Sequence, residues 1–410
     1  MTTLIGGVFV AVYIGMAAGR VPWLAVDRTG IALTGMIVLL VSGAIGVPQL
    51  PRALELPTLL LLFALMILGG HFAAAHCFDF LGAWLSRVHA RPVTLLGATV
   101  LVGGGLSVVL VNDIVVFAFA PLLCMALPAR GLDPRPFLLA LAGSANAGST
   151  ASLIGNPQNI LIGEIGNLDF LAYFVTAAVP AVAALLIVFA VIATIWRHSL
   201  RAASRQSGTQ PAVEVHPWLM SKSFLATAAL ILLMVFYDGQ REVAALGVAA
   251  VLIVGRQITA TALLRQVDWS LLVLIASLFV VTAAFTSLPA APELIAWLRN
   301  NELLPYRLSL LIPFSVVASN TIGNVPAVVL LLQAVENIPP EVLTALAVFT
   351  TLSGNLLLTG SLANIIVAER ASAHGVRLTF GDFAKVGIPA TALSIAVAAL
   401  WFYTRGYLAF

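Results

Sequence analysis

The sequence predicts an all-α polytopic membrane protein folded as two inverted repeats, and three observations carry that prediction. Apolar runs of membrane-spanning length recur along the whole chain. Two stretches too long for one helix are each interrupted by small polar residues, VLVND at 109–113 and SNTIGN at 319–324. A Gly-x-x-x-Asn-Ile break appears once in each half, at 155–160 and at 360–365.

Composition sets the solvent. Of 410 residues, 61% are hydrophobic and 9% charged, and the mean hydropathy is +1.06, whereas soluble domains are about 25% charged. The net charge of +3 is scattered through short loops rather than gathered into a patch, which argues against nucleic acid as a partner. No Lys or Arg precedes Arg20, so the first apolar run reads as a retained span and not a cleaved signal peptide. Cys77 and Cys124 sit in apolar surroundings without metal-ligand spacing and read as packing residues.

Apolar runs of roughly 17–25 residues suffice to cross about 30 Å of hydrocarbon. In the first half they lie near 4–19, 30–47, 57–75, 136–163 and 171–196; in the second, near 223–237, 243–255, 269–287, 341–367 and 386–404. The stretches 93–128 and 308–335 read as re-entrant hairpins, because irregular backbone survives at membrane depth only beside protein or a water-filled cavity. The expected organisation is a first repeat over 1–196, a cytoplasmic linker over 197–222 and a second repeat over 223–410. With the N-terminus outside, fifteen of the 20 Lys and Arg fall in cytoplasmic segments, and Arg52, Arg241, Arg299, Arg307 and Arg405 remain outside. That bias follows the positive-inside rule. Five spans per half put the second half upside down relative to the first. Trp23, Trp84, Trp218, Trp269 and Trp401 fall near span ends, where an interfacial belt places them.

The chemistry concentrates at the interruptions. In GSTASLIGNPQN, Pro157 removes a backbone donor and disfavours helix at Asn156, while Gly155 permits a sharp turn. Such a break leaves a free amide end that attracts anions and a free carbonyl end that coordinates cations. Ser149, Thr150, Asn156 and Asn159 add neutral ligands, as do Asn355, Gly360, Ser361 and Asn364 at the second break. A kinked helix packed by small residues would explain one such break; two, each preceded by a polar hairpin, point to a transporter's binding site. The tips supply Asn112 and Asp113 on one side and Ser319, Asn320, Thr321 and Asn324 on the other. Asn324 opens NVPAVVLLLQAV as Asn112 opens NDIVVFAFAPLL. Asp113 is the one carboxylate this topology places deep in the membrane, at a cost of about 2.5–3.5 kcal/mol. It reads as a proton carrier or cation ligand, against the blander reading of a capped or permanently protonated acid that holds the tip. His71 reads as a histidine bonded to a backbone carbonyl.

An enzyme is the rival from another class. The sequence contains no HExxH, GxSxG or GxxxxGK[ST] signature, and an intramembrane aspartyl protease needs a second facing acid. A scaffold or receptor gives no reason for two matched helix breaks, and a channel is separated from a transporter by uphill accumulation in vesicles.

The motifs VNDIVVFAFAPL, AGSTASLIGNPQNILIG, SNTIGNVPAVVLLLQ and LSGNLLLTGSLANIIVAERA together resemble the ion transporter superfamily, in particular its bacterial anion-permease and ArsB-like branch, the YbiR type with a citrate-transporter-like domain. That superfamily includes arsenite exporters, citrate and dicarboxylate carriers, sodium–sulfate symporters and NhaD-type antiporters. The resemblance covers essentially the whole chain. It implies a scaffold part and a moving transport part, often in a homodimer working by an elevator motion in the inner membrane. Asn112–Asp113 is similar to the Asn-Asp of ArsB-like proteins, and Ser319-Asn320-Thr321 to the tripeptide with which dicarboxylate and sulfate carriers hold sodium and carboxylate. Leu362 departs from the proline those carriers place at the second break.

These readings lead to a secondary transporter of a small anion or oxyacid, with no Arg or Lys expected in its site. Coupling would run to protons through Asp113, or to sodium near Asn112, Asn156, Asn324 and Ser361; no other cofactor is expected. The alternative is a sodium/proton antiporter, which a second buried carboxylate would favour. The expected partners are the solute and membrane lipid.

Overall fold

The computed structural model describes residues 1–19, 26–87, 91–201, 216–237 and 239–410, with 84–87 described by backbone alone. The expectations for Arg20, Trp23, the Trp84 ring and the centre of the linker, 202–215, lie outside the described residues. Among the described residues every extended element is a helix and none is a β-strand.

The chain opens with α1 (Thr2–Ala18), closed by Gly19 at φ 77°, the left-handed conformation a glycine adopts without strain. The helix α2 (Arg28–Val41) begins at Asp27, whose carboxylate accepts from Gly30 N–H at 2.8 Å. A short α3 (Leu50–Ala53) leads into α4 (Leu56–Ala74) and then α5 (Cys77–Arg87). The first hairpin is α6 (Pro92–Val109) and α7 (Asn112–Ala129), joined through Leu110 and Val111. Next come α8 (Arg135–Ser149), the first break, α9 (Pro157–Ile165) and the long α10 (Phe170–Ile195).

The second half holds α11 (Pro217–Phe236), α12 (Arg241–Ile253), α13 (Ala260–Leu264), α14 (Trp269–Thr286) and α15 (Ala290–Asn300). Its hairpin is α16 (Leu308–Thr321) and α17 (Asn324–Ala334), turned at Ile322 and Gly323 with Gly323 at φ 104°. After it come α18 (Pro340–Ser353), the second break, α19 (Leu362–Ala373) and α20 (Phe380–Thr404). Proline opens α6, α9, α11 and α18, where its missing N–H would be unpaired in any case.

Seven of these helices are long and apolar enough to cross a membrane: α4, α6, α7, α10, α11, α14 and α20. The chain is therefore a multi-pass membrane protein. The hairpins differ in length, 18 and 18 residues in the first against 14 and 11 in the second. The expected spans near 30–47 and 243–255 are short helices of 14 and 13 residues. At 1.5 Å per residue each covers about 20 Å, less than the roughly 30 Å of hydrocarbon. Neither α5 nor α15 falls in an apolar run of spanning length. Both are amphipathic 11-residue helices that precede a hairpin, and both carry Ala-Trp-Leu, at 83–85 and 296–298, a correspondence visible in the sequence.

Close packing places the hairpin against the break. α6 lies along α8 with Gly104 and Gly148 in backbone contact, where any Cβ on Gly148 would overlap the Gly104 backbone. Small residues permit that approach between membrane helices. α2 packs between α1 and α14, and α19 against α7 and α8. The two cysteines are buried and unpaired.

Candidate functional site

Each break is built the same way from residues 205 positions apart. Asn156 caps α9, its side chain accepting from Asn159 N–H at 3.0 Å, and Ser361 caps α19 by accepting from Ala363 N–H at 3.2 Å. Asn159 Nδ2 donates to the carbonyls of Ser149 and Ser152 at 3.1 and 3.0 Å; Asn364 Nδ2 donates to those of Gly354 and Leu357 at 2.8 and 3.0 Å. Each of these asparagines thus takes up carbonyls left open where a helix stops.

The two breaks are then cross-linked through one residue from each opposing helix. Thr351 Oγ1 donates to Asn159 Oδ1 at 3.1 Å and accepts from Asn156 Nδ2 at 3.1 Å. In the mirrored position Asn146 Nδ2 donates to Asn364 Oδ1 at 3.3 Å, and Asn146 Oδ1 accepts from Ser361 Oγ at 3.0 Å. Asn146 also donates to Asn355 Oδ1 at 2.8 Å and accepts from Asn112 Nδ2 at 3.0 Å. The sequence reading missed Asn146 and Thr351 because each lies inside a helix, short of the visible break. Counting back 13 residues from Asn159 and from Asn364 would have found both.

The hairpin tips dock on their own breaks. Asn112 N–H donates to Gly155 carbonyl at 2.8 Å, and Asn320 Nδ2 donates to Ser353 carbonyl at 3.0 Å. Ser319 Oγ reaches Thr350 carbonyl at 3.4 Å, and Asn324 Nδ2 would touch a Cβ on Gly354 at 3.1 Å. Ser149 and Thr150 are buried with their hydroxyls on Asn146 carbonyl at 2.9 Å, and Gly360 packs against the Asn320 amide. Thr321 stands apart: it is exposed, and its hydroxyl turns back to Val317 carbonyl at 2.7 Å.

Bond directions orient the amides. Asn364 Nδ2 is committed to two carbonyls, so Asn146 must donate to Asn364 Oδ1, present its own Oδ1 to Asn112 Nδ2, and leave Asn112 Oδ1 without a donor. Asn320 Nδ2 is likewise held by Val316 and Ser353 carbonyls, leaving its Oδ1 bare. With Asn324 Oδ1, three buried amide oxygens at the two tips lack a partner among the described residues. Buried polar atoms are normally paired, so these oxygens mark acceptor positions. Among the described residues no group of three or more His, Cys, Asp or Glu is arranged to hold a metal ion.

A cavity of 750 Å³ reaches this cluster, lined at its inner end by Asn112, Asp113, Pro157, Gln158, Asn324 and Ser361. Two sequence expectations are corrected along its wall. Asp113 is not the sole acid, because Asp268, which caps α14 by accepting from Leu271 N–H, lines the same cavity close enough to repel Asp113. Nor is the site free of basic groups. Half-buried Arg28 lines the cavity, its Nη1 3.6 Å from where a Cβ on Gly323 would stand. Both residues sit where hydropathy places cytoplasmic loops. The shortness of α2 and its packing between α1 and α14 bring those helix starts to the second tip. Asp27 and Glu369 are exposed at the outer end.

His71 also differs from expectation. It is buried, and its Nδ1 bonds Ser223 Oγ at 2.8 Å rather than a backbone carbonyl. Trp401 donates its indole N–H inward to Thr176 carbonyl, while Trp218 and Trp269 are exposed.

An all-helical membrane protein with paired hairpins and broken helices around one cavity belongs to the class of membrane transporters. The chain is a member of the citrate transporter family, which it matches over residues 10–342. Among curated proteins it is 28% identical to the silicon efflux transporter LSI3 of Oryza sativa subsp. japonica, over 92% of each chain. It is 26% identical to a 46 kDa membrane protein of Mycobacterium leprae over 97% of each, and 29% identical to the inner membrane protein YbiR of Escherichia coli over 78% of this chain and 82% of that one. The fold is similar to that of the YdaH transporter of Alcanivorax borkumensis, with TM-score 0.55 at 13% identity over 98% of each chain.

Proposed function

We propose that this chain is a secondary active transporter of a small anion or oxyacid, driven by a proton or sodium gradient. The observation that carries this reading is the course of the cavity. It runs from exposed Asp27 and Glu369 past Arg28 to both hairpin tips and to the N-termini of α9 and α19. Helix N-termini favour negative charge, and among the described residues no carboxylate forms an ion pair with the Arg28 guanidinium. An oxyanion group held between Arg28 and those N-termini would complete it, since guanidinium forms strong bonds to such groups. The names of the family and of the rice relative, citrate transporter and silicon efflux transporter, both concern small solutes.

The architecture proposed is two inverted repeats, 1–196 and 223–410, joined by a cytoplasmic linker in the plasma membrane. The mouth of the cavity then faces the cytoplasm, and an elevator motion of hairpins and broken helices would present the site to the other side. Sodium fits the residues present. Asn112, Asn320 and Asn324 Oδ1 are buried acceptors without donors, the kind of oxygen ligand a hard cation takes. Asp113, which lines the cavity with Asn112 and Asn324, would carry the coupling proton or complete the cation's shell.

A sodium/proton antiporter is the second reading, favoured by Asp268 facing Asp113. Liposomes containing the purified protein, given imposed proton or sodium gradients, separate the two. Gradient-dependent uphill accumulation of a labelled carboxylate, sulfate, arsenite or silicic acid is the expected outcome. Sodium-driven proton movement with no solute accumulated supports the second reading, and neither activity sinks both.

A further inference from the structure

A second cavity, of 740 Å³, lies between the start of α11 and the end of α12 and shares no lining residue with the transport cavity. Its walls are Trp218, Ala250, Val251 and Val254, with Leu219, Ile258 and His71 as the buried floor. Two cations stand at its edge, Lys222 and Arg256, and among the described residues no Asp or Glu lines it. Lys222 Nζ donates to the carbonyls of Leu252 and Val254 at 3.3 and 2.8 Å, satisfying open carbonyls at the C-terminus of α12. An ammonium has three donors, so one stays free among the described residues. A Cβ on Gly255 would stand 3.7 Å from that Nζ, which sets the ammonium beside the backbone that carries Arg256. Arg256 is exposed and makes no ion pair among the described residues.

We infer that this cavity is a binding site for an anionic phospholipid. Three features distinguish it from a solvated charged surface. The cations share one concavity with no acid to neutralise them. The apolar side chains around them are exposed, with Trp218 at 69%, Val251 at 62% and Val254 at 77%, a wall suited to acyl chains and costly in water. Lys222 stands in the second turn of α11 and Arg256 three residues past the end of α12, with Trp218 at the start of α11 alongside, where an aromatic interfacial anchor is at home. Basic pockets between membrane helices hold such headgroups. The lipid phosphate would take the free donor of Lys222 and the guanidinium of Arg256, while its tails lie over Val251 and Val254. Bound there, the lipid would tie α11 to α12 and stabilise the folded chain.

The full-length protein in detergent tests this by lipid retention in native mass spectrometry and by its unfolding midpoint. The probes are phosphatidylglycerol, phosphatidylcholine and inorganic phosphate. Each cation near an anionic headgroup is worth about fivefold in binding. Arg256→Gln, at an exposed side chain with no bonds to lose, is expected to cut phosphatidylglycerol retention about that much, and Lys222→Gln with Arg256→Gln to cut it further. Phosphatidylcholine retention should not change, and Arg52→Gln, an exposed charge elsewhere, should leave phosphatidylglycerol retention intact. Equal retention by wild type and the double variant overturns the site. So does equal loss in Arg52→Gln, or stabilisation by inorganic phosphate alone as large as by the lipid.

Discussion

Asn146 holds Asn364 across 218 residues of sequence, donating its Nδ2 to the Oδ1 of the asparagine that closes the second break. One side chain therefore joins the first hairpin, the second break and Asn355 in a single network. Asn146→Ala would leave Asn112 Nδ2, Asn355 Oδ1 and Asn364 Oδ1 short of partners. Each such loss costs about 1–3 kcal/mol. The expected result is a lowered unfolding midpoint and lost transport, with Asn146→Asp also defective because a carboxylate cannot donate to two amide oxygens. A wild-type midpoint in Asn146→Ala would show that the network does not hold the breaks together.

Asp113 is expected to couple transport to a cation gradient. Asp113→Asn should keep the fold and some substrate binding, abolish uphill accumulation and spare exchange, because exchange needs no net cation movement. Normal accumulation by the variant under a proton or sodium gradient would reduce Asp113 to a structural cap.

Arg28 and Asp268 separate the two functional readings. For an anionic substrate, Arg28→Gln should raise KM tenfold or more, since a charged hydrogen bond is worth about 1.5–3 kcal/mol. Asp268→Asn should then affect coupling more than affinity. For a sodium/proton antiporter the pattern inverts, with Asp268→Asn lowering cation affinity and Arg28→Gln nearly silent. Initial rates against substrate or sodium concentration decide between them.

Gly148 has no room for a side chain. Gly148→Ala forces α6 away from α8, because the added methyl meets the Gly104 backbone and not a movable side chain. Overpacking of this kind typically costs 1–3 kcal/mol or more. Gly105→Ala, on α6 next to Gly104, meets nothing within 4 Å and is expected to be neutral. Matched unfolding midpoints for the two variants would contradict the close approach.

The proposed topology is checked at the linker. A single cysteine at Ser207, in a background lacking Cys77 and Cys124, should react with a membrane-permeant maleimide in intact cells and resist an impermeant one. Labelling by the impermeant reagent would turn the protein over in the membrane and put the mouth of the cavity outside.

Hydropathy and helix-breaking residues alone determined the membrane class, the places where helices turn or stop, and four of the polar residues that line the cavity, Asn112, Asp113, Asn324 and Ser361. Those signals are local. A proline at 157, a glycine at 155 or a run of leucines acts on its own stretch of backbone wherever the rest of the chain goes. The tertiary structure decided which helix interiors and helix starts face the breaks. Asn146 and Thr351 look like ordinary polar residues inside small-residue helices until the other half of the chain is brought against them. Arg28 and Asp268 look like surface charges until the short α2 packs between α1 and α14 and sets Arg28 beside the second tip and Asp268 in the cavity that holds Asp113. Hydropathy measures how well a segment tolerates lipid, and it is blind to whether a charged helix end meets the headgroups or a cavity enclosed by its neighbours.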